Sequence, residues 1–372
     1  MTANDDIKER MDRVRALMRQ RSYDAVVLRN NYDIRWLTGA TRVFDFEDAH
    51  TAVITQEGAW LHTDSRYYGS FMERMGSDSG WKVDMELTGH TRWTAMLLRD
   101  LHVRCAAIED TLTLGFYESL VHELNQCSFD CIMPRMHSDL VQMRATKTEE
   151  ELRLLKRAQE ITDAAFDHIC GFVRPGQTEL QIRAELEGFM LTNGAHALSF
   201  DSIVASGPNG ANPHARPSER KVCAGDYIVL DYGALYEDYH ADMTRTICVG
   251  EPSSKQREVY DVVRAAHEAA AAAARPGMLG KDLHEVAAKV ISDAGYGDYF
   301  KHGLGHGVGL EIHELPSVGR LGEKELEVGS VFTIEPGIYL PGEFGIRLED
   351  CGVMTQDGYA PFTASTHDLV VV

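Results

Sequence analysis

Nowhere in this 372-residue chain is there an apolar run long enough to span a bilayer, and the opening stretch MTANDDIKERMDR is charged throughout where a secretory leader needs an apolar core. The expectation is a protein without a membrane partner. Basic residues are scarce beside acidic ones, 37 against 57 for a formal charge of -20, and no local cluster of Lys and Arg overrules that balance. Such a surface repels polyphosphate backbones and anionic lipid, which excludes nucleic acid as a partner. Paired cysteines are lacking too. The seven present (Cys105, Cys127, Cys131, Cys170, Cys223, Cys248, Cys351) are odd in number, scattered and without a Cys-x-x-Cys pair, so neither a disulfide framework nor a thiolate zinc site is signalled. A reducing cytoplasm is the compartment this predicts.

What is present is length enough for two domains with cores that need no cross-links. Met11, Val14, Leu17 and Met18 fall at helical spacing and predict a helix over 7–20, and Ala25-Val-Val-Leu28 reads as a buried strand following Asp24. Strand-like runs at 51–55, 60–64 and 106–109 alternate with helical stretches at 66–74 and 93–101. This alternation predicts a small α/β domain. In Asp64-Ser-Arg66-Tyr67-Tyr68 the expected role of the aspartate is to cap the helix that follows the strand. Near residue 144 the chain turns polar, and Thr148 with Glu151 stands at capping-box spacing before a long helical pattern. The boundary is placed there, giving domains 1–143 and 144–372.

The second domain carries an internal duplication. The long helix stops at Arg174-Pro175-Gly176, and a second helix, capped by Thr178 and Gln181, ends at Gly194. An Ala-rich helix starting near Ser254 stops at Arg275-Pro276-Gly277, and another ends at Gly295, each 101 positions after its counterpart. Alanine is the strongest helix former and permits close packing, so that run needs no low-complexity explanation. The strands correspond as well, Ala224-Gly-Asp-Tyr-Ile-Val-Leu-Asp231 with Val328-Gly-Ser-Val-Phe-Thr-Ile-Glu335. Asp231 thus answers Glu335, and Asp242 answers Glu349.

Carboxylates at the ends of strands that ought to be buried are hard to explain as packing, because an unpaired buried charge is very costly. If the halves pair about a pseudo-twofold axis, all four carboxylates converge. One divalent cation leaves two negative charges over, whereas two neutralise the set. Between the halves lies Lys301-His302-Gly-Leu-Gly-His306-Gly-Val-Gly-Leu-Glu-Ile-His313-Glu, three histidines among alternating glycines. Those glycines exclude a helical His-Glu-x-x-His site, and their spacing is not that of a dinucleotide loop. They predict a strand or loop that brings backbone and imidazoles close to a ligand. One imidazole with four carboxylates suits Mn, Co or Fe better than a thiolate-type zinc centre.

The ordered set LDYG, ADMTRT, HGLGHGVGLEIHE, FTIEPGIY and IRLEDCG resembles the pita-bread metallopeptidases, the group of aminopeptidase P, prolidase, methionine aminopeptidase and creatinase. The resemblance covers about residues 144–372, and the preceding domain resembles the N-terminal domain of the proline-specific members. It implies an α+β fold, with a pita-bread catalytic domain of pseudo-twofold duplication behind a smaller α/β domain of the creatinase type. It also implies metal ligation by Asp231, Asp242, His306, Glu335 and Glu349, with Asp242 and Glu349 bridging two divalent ions, Mn first and Co, Fe or Zn as alternatives. Glu335 is implied to handle the proton of an attacking, metal-bridging hydroxide. His214, His302 and His313 would line the substrate cleft, with His214, His313 and Arg347 joining Glu335 in the catalytic set and Arg347 supporting the site.

The implied activity is hydrolysis of the Xaa-Pro bond at the N-terminus of dipeptides or short peptides, by a homodimer. Methionine aminopeptidase generally lacks the first domain, and creatinase does not keep the full ligand set. A non-catalytic peptide- or protein-binding member of the same fold is the alternative from another class, and such members have typically lost ligands that are all present here. His240, His267, His284 and His367 carry no motif and are expected to be structural or at the surface.

Overall fold

The computed structural model describes residues 3–45, 47–76 and 79–372, and these divide into two compact units, Met1–Met143 and Arg144–Val372. In the first, helices α1 (Ala3–Arg21), α2 (Asn31–Thr38), α3 (Tyr68–Met75), α4 (His90–Asp100) and α5 (Leu114–Gln126) accompany strands β1 (Ala25–Leu28), β2 (Thr51–Thr55), β3 (Ala59–His62), β4 (Trp81–Asp84) and β5 (Ala106–Ile108). The strands form one sheet in the order β4-β3-β2-β1-β5, with β1 antiparallel to β2 and parallel to β5. Every residue of β1 and β2 is buried, as expected of strands whose side chains are covered on both faces.

The expected cap at Asp64 is displaced. Its Oδ1 accepts the Arg66 amide at 2.8 Å, closing a turn, while α3 begins only at Tyr68 and has no side-chain cap. A short aspartate side chain satisfies the amide two residues on, and the helix starts after that turn instead of at it.

Helix α6 (Asp139–Ala145) spans the division between the units. Beyond it the chain repeats. Helices α7 (Glu149–Phe172) and α8 (Glu179–Thr192) precede β6 (Ala197–Leu198), β7 (Ile203–Ser206), β8 (Tyr227–Tyr232), β9 (Ala234–Tyr236), β10 (Tyr239–His240) and β11 (Met243–Cys248). Helices α9 (Ser254–Ala273) and α10 (Gly280–Asp293) precede β12 (Gly305–Gly307), β13 (Glu314–Val318), β14 (Val331–Ile334), β15 (Gly337–Leu340), β16 (Phe344–Arg347), β17 (Asp350–Thr355) and β18 (Gly358–Pro361). The strand order β7-β8-β11 of the first half recurs as β12-β14-β17 in the second, antiparallel throughout.

Local chemistry explains the repeat. Complete capping boxes start α7 (Thr148, Glu151), α8 (Thr178, Gln181) and α9 (Ser253, Gln256), each satisfying amides that the first turn leaves unpaired. Each half has its own core. Ile161, Ala165, Phe166 and Ile169 on one stripe of α7 join Ile182 and Leu186 of α8 over Ile228, Leu230 and Ile247 of the sheet. In the second half Val259, Val263, Ala266 and Ala270 of α9 join Leu283, Ala287 and Ile291 of α10 over Phe332, Ile334 and Met354. Each such large aliphatic side chain contributes about 1.5–3 kcal/mol on burial.

Of the alternating glycines, Gly305 and Gly307 fall on the expected strand, β12, and also have a packing reason. A Cβ on Gly305 would overlap the carbonyl oxygen of Thr333, and one on Gly307 the carbonyl of Leu315. They let β12 lie between β13 and β14, so the close approach they permit is strand to strand.

Candidate metal centre

Asp231 lies near the end of β8, directly opposite Thr244 of β11. Glu335 follows β14 and Glu349 precedes β17, flanking the register pair Ile334 and Asp350. The two halves meet where β11 runs beside the segment 347–349. The Glu349 amide donates to the Thr244 carbonyl at 3.1 Å, and the Thr244 hydroxyl donates to Glu349 Oε2 at 2.6 Å. Backbone and side chain together fix the Glu349 carboxylate, which is buried.

His306, in the middle of β12, has Nε2 at 3.4 Å from both Asp242 Oδ2 and Glu335 Oε1. Its Nδ1 is 3.0 Å from the Gly307 carbonyl and donates to it, which leaves Nε2 as the nitrogen that faces the carboxylates. Ligand atoms of Asp242, His306 and Glu349 all lie within 4.8 Å of one another. Thr333 accepts the His306 amide at 3.2 Å and donates its hydroxyl to Glu335 Oε1 at 3.2 Å, tying two of these residues to one side chain.

Arg347 is buried and uses its planar fork on three side chains: Nη2 to Asp231 Oδ2 at 2.5 Å, Nε to Thr244 Oγ1 at 3.0 Å and Nη1 to the Tyr339 hydroxyl at 2.7 Å. The Tyr339 hydroxyl in turn donates to His302 Nε2 at 3.0 Å, while His302 Nδ1 donates to the Gly303 carbonyl at 2.7 Å. Arg347 thus ties Asp231 to Thr244 and Tyr339, and His302 is linked through Tyr339 and Arg347 to Asp231. His313 is exposed, its ring centroid 4.3 Å from that of His306. His214 is also exposed, on a loop whose Pro213 carbonyl accepts from Arg347 Nη1 at 3.4 Å.

The electrostatics are those of a site built for positive charge. Burial pushes Asp242 up to about 6 and Glu335 up to about 7. Glu349 is raised further by burial and by the charges of Asp242, Glu335 and Asp231. Burial disfavours the charged form of His306, yet its hydrogen bond to Asp242 and the charge of Glu335 outweigh it and carry the imidazole to about 9. Burial pushes His302 down to about 4, which keeps it neutral, and lowers His313 as well. Asp231 Oδ1 is buried and, among the described residues, has no hydrogen-bond partner. An unpaired carboxylate oxygen beside three carboxylates resisting ionisation fits a divalent cation, and the donor set of oxygens with one imidazole fits the same group.

Thr244, Thr333 and Tyr339 shape the site without appearing among the residues expected from sequence. Thr244 lies within the ADMTRT motif and Tyr339 within FTIEPGIY. Their adjacency to candidate ligands was the only available signal, because their contacts join positions as much as 105 residues apart.

Fold and site together define a metal-dependent hydrolase with a duplicated carboxylate cradle. The chain belongs to metallopeptidase family M24, which residues 153–356 match, and residues 10–137 match the creatinase/prolidase N-terminal domain. It is a metallopeptidase, and its α+β architecture is the pita-bread fold behind a creatinase-type N-terminal domain. Over 367 residues it is 35% identical to a Xaa-Pro dipeptidase of Pyrococcus horikoshii, covering 98% of this chain and 100% of that protein. The structure of a Xaa-Pro dipeptidase from Bacillus anthracis is similar at a TM-score of 0.91 and 34% identity, with 98% of this chain and 100% of that one covered. An X-Pro aminopeptidase from Thermotoga maritima is similar at a TM-score of 0.86, also with 34% identity, 98% of this chain and 100% of that one.

Proposed function

We propose that this protein hydrolyses the Xaa-Pro bond of dipeptides at a site holding two divalent cations, Mn first among them. The observation that carries the reading is the convergence of Asp242, Glu335 and Glu349 around His306, with Asp231 offering a buried oxygen that lacks a partner. Asp231, Asp242, His306, Glu335 and Glu349 would hold the ions, with Asp242 and Glu349 shared between them. Bound divalent cations supply Lewis acidity and bring the pKa of water to about 7, so that an attacking hydroxide is available at neutral pH.

The chain's own groups do the rest. Glu335, buried beside Asp242 and His306, accepts the proton of the attacking water and relays it to the leaving amine as general base and then acid. His214 and His313, both exposed toward solvent, bind the substrate and donate to the developing oxyanion. His302, neutral and held by Tyr339, lines the cleft. Arg347 keeps Asp231 oriented.

The proline preference is supported by the relatives named as Xaa-Pro dipeptidases. A second reading, cleavage of longer peptides, is favoured by the equal identity to the Thermotoga aminopeptidase. Comparing a Xaa-Pro dipeptide, a Xaa-Pro-Yaa tripeptide and a Met-Ala peptide with Mn supplied decides between them. The dipeptide is expected to be cleaved fastest. Preference for the tripeptide selects the second reading, and preference for Met-Ala contradicts both.

A further inference from the structure

Outside the carboxylate cradle a second set of donors meets at Asp350. His267 from α9, Asp350 at the start of β17 and His367 from the segment after β18 present ligand atoms that all lie within 4.8 Å of one another. His367 Nε2 is 2.9 Å and His267 Nε2 3.5 Å from the same carboxylate oxygen, Oδ2. The two imidazoles meet edge to face with centroids 4.6 Å apart. His267 is 1% exposed, and among the described residues neither of its ring nitrogens has a hydrogen-bond partner. A buried imidazole with both nitrogens unpaired is costly, and here one of them is aimed at an anionic oxygen.

The other oxygen, Asp350 Oδ1, accepts from Arg245 Nη2 at 2.8 Å. Arg245 uses its remaining donors on the carbonyls of Thr244, Glu349, Ser365 and Thr366. The guanidinium thus fixes the carboxylate with Oδ2 turned to the imidazoles, as an outer partner orients a ligating carboxylate. Neighbouring ligand atoms of a tetrahedral zinc site stand roughly 3.3 Å apart when the bonds are about 2.0–2.1 Å, close to the separations found here. Burial pushes His267 down to about 4, which leaves the ring neutral with the lone pair of one nitrogen free to bind a cation. At His367 a cation would take the place of the proton that Nε2 directs at Asp350 Oδ2, the remaining ring proton then lying on Nδ1.

We propose that His267, Asp350 and His367 form a further binding site for a borderline divalent cation of the zinc class, with a fourth position open beside the half-buried His367. Two imidazoles favour zinc over the harder Mg or Ca. The ligands come from a helix, a strand and the C-terminal segment, so a bound ion staples these three together one residue beyond Glu349. The site uses none of the groups assigned to peptide hydrolysis.

The test is a zinc count on the full chain, stripped with a chelator, reloaded with Zn2+ and dialysed. It compares the native sequence with His267→Ala, His367→Ala and Asp231→Ala. Loss of one bound zinc per chain in both histidine variants is expected. A full count in His367→Ala overturns the proposal whatever His267→Ala shows, because that half-buried position can be changed without opening the core. Reloading with Co2+ gives an independent readout: the visible absorption of four-coordinate cobalt should be present in Asp231→Ala and weakened in His367→Ala. Loss of zinc in Asp231→Ala with none in the histidine variants would leave the peptidase site standing and remove this one.

Discussion

At the scale of the residue, the site depends on groups that never touch a substrate. Thr244 gives its proton to Glu349 Oε2 and accepts from Arg347 Nε, so Thr244→Val leaves both partners buried and unsatisfied. The expected cost is about 1–3 kcal/mol in denaturant unfolding, with weakened metal retention. Glu335→Gln should keep the fold by circular dichroism and lose a factor on the order of 10²–10⁴ in kcat; a variant of near-native rate would remove Glu335 from proton transfer. In the N-terminal unit, Glu109 accepts the Arg29 and Asn30 amides at 3.0 and 2.9 Å, yet burial raises its carboxyl from 4.5 to about 7. A folded pKa above the unfolded one means that stability is present below about pH 4.5 and lost as the pH rises through 7. Unfolding free energy from pH 5 to 8 should therefore fall more in the native chain than in Glu109→Gln, by up to about 3 kcal/mol. Of the three residues substituted here only Glu335 was legible in the sequence, through its motif and its duplication with Asp231. Thr244 and Arg245 act through partners about a hundred residues away, and Tyr339 links Arg347 to His302 across separate strands and loops; neither composition nor spacing encodes such contacts.

Among the elements, those with a strong period or an explicit cap were readable. Strand β1 is a plain apolar run, and the boxes at Thr148 and Thr178 announced α7 and α8. Helix α2 was missed because residues 33–38 are all buried, Asp33 and Arg35 included, so no polar face shows its period. Its ends were readable nonetheless: Asn30 accepts the Tyr32 and Asp33 amides, and Gly39 takes a left-handed φ of 68°. Strand β4 is short and half-exposed, too brief for alternation to register. Thr178→Ala should cost about 1 kcal/mol by removing one cap. The Ala-rich face of α9 answers to packing: Ala266 and Ala270 are fully buried in the second core. Ala270→Leu should destabilise the protein by about 1–3 kcal/mol through overpacking, seen as a lower melting temperature.

For the molecule as a whole, the duplication is what turns scattered acids into one site. Each half supplies a helix pair, an antiparallel sheet and two carboxylates, and the halves join through the Glu349 amide and the Thr244 carbonyl. The repeat was visible in sequence as an offset of 101 between helix stops and of 104 between the strands that end at Asp231 and Glu335. The internal link was not, since it depends on which strand edges meet. Four carboxylates with one imidazole, three of the acids raised toward neutrality by burial, are the basis for the proposal of two cations. The most direct measurement is a Mn2+ titration of the chelator-stripped protein, followed by hydrolysis of a Xaa-Pro dipeptide. The expected result is no activity without metal, activity that saturates at two equivalents per chain, and none at any concentration in Asp242→Ala. Full hydrolysis by the stripped protein, or saturation at a single equivalent, would contradict the account.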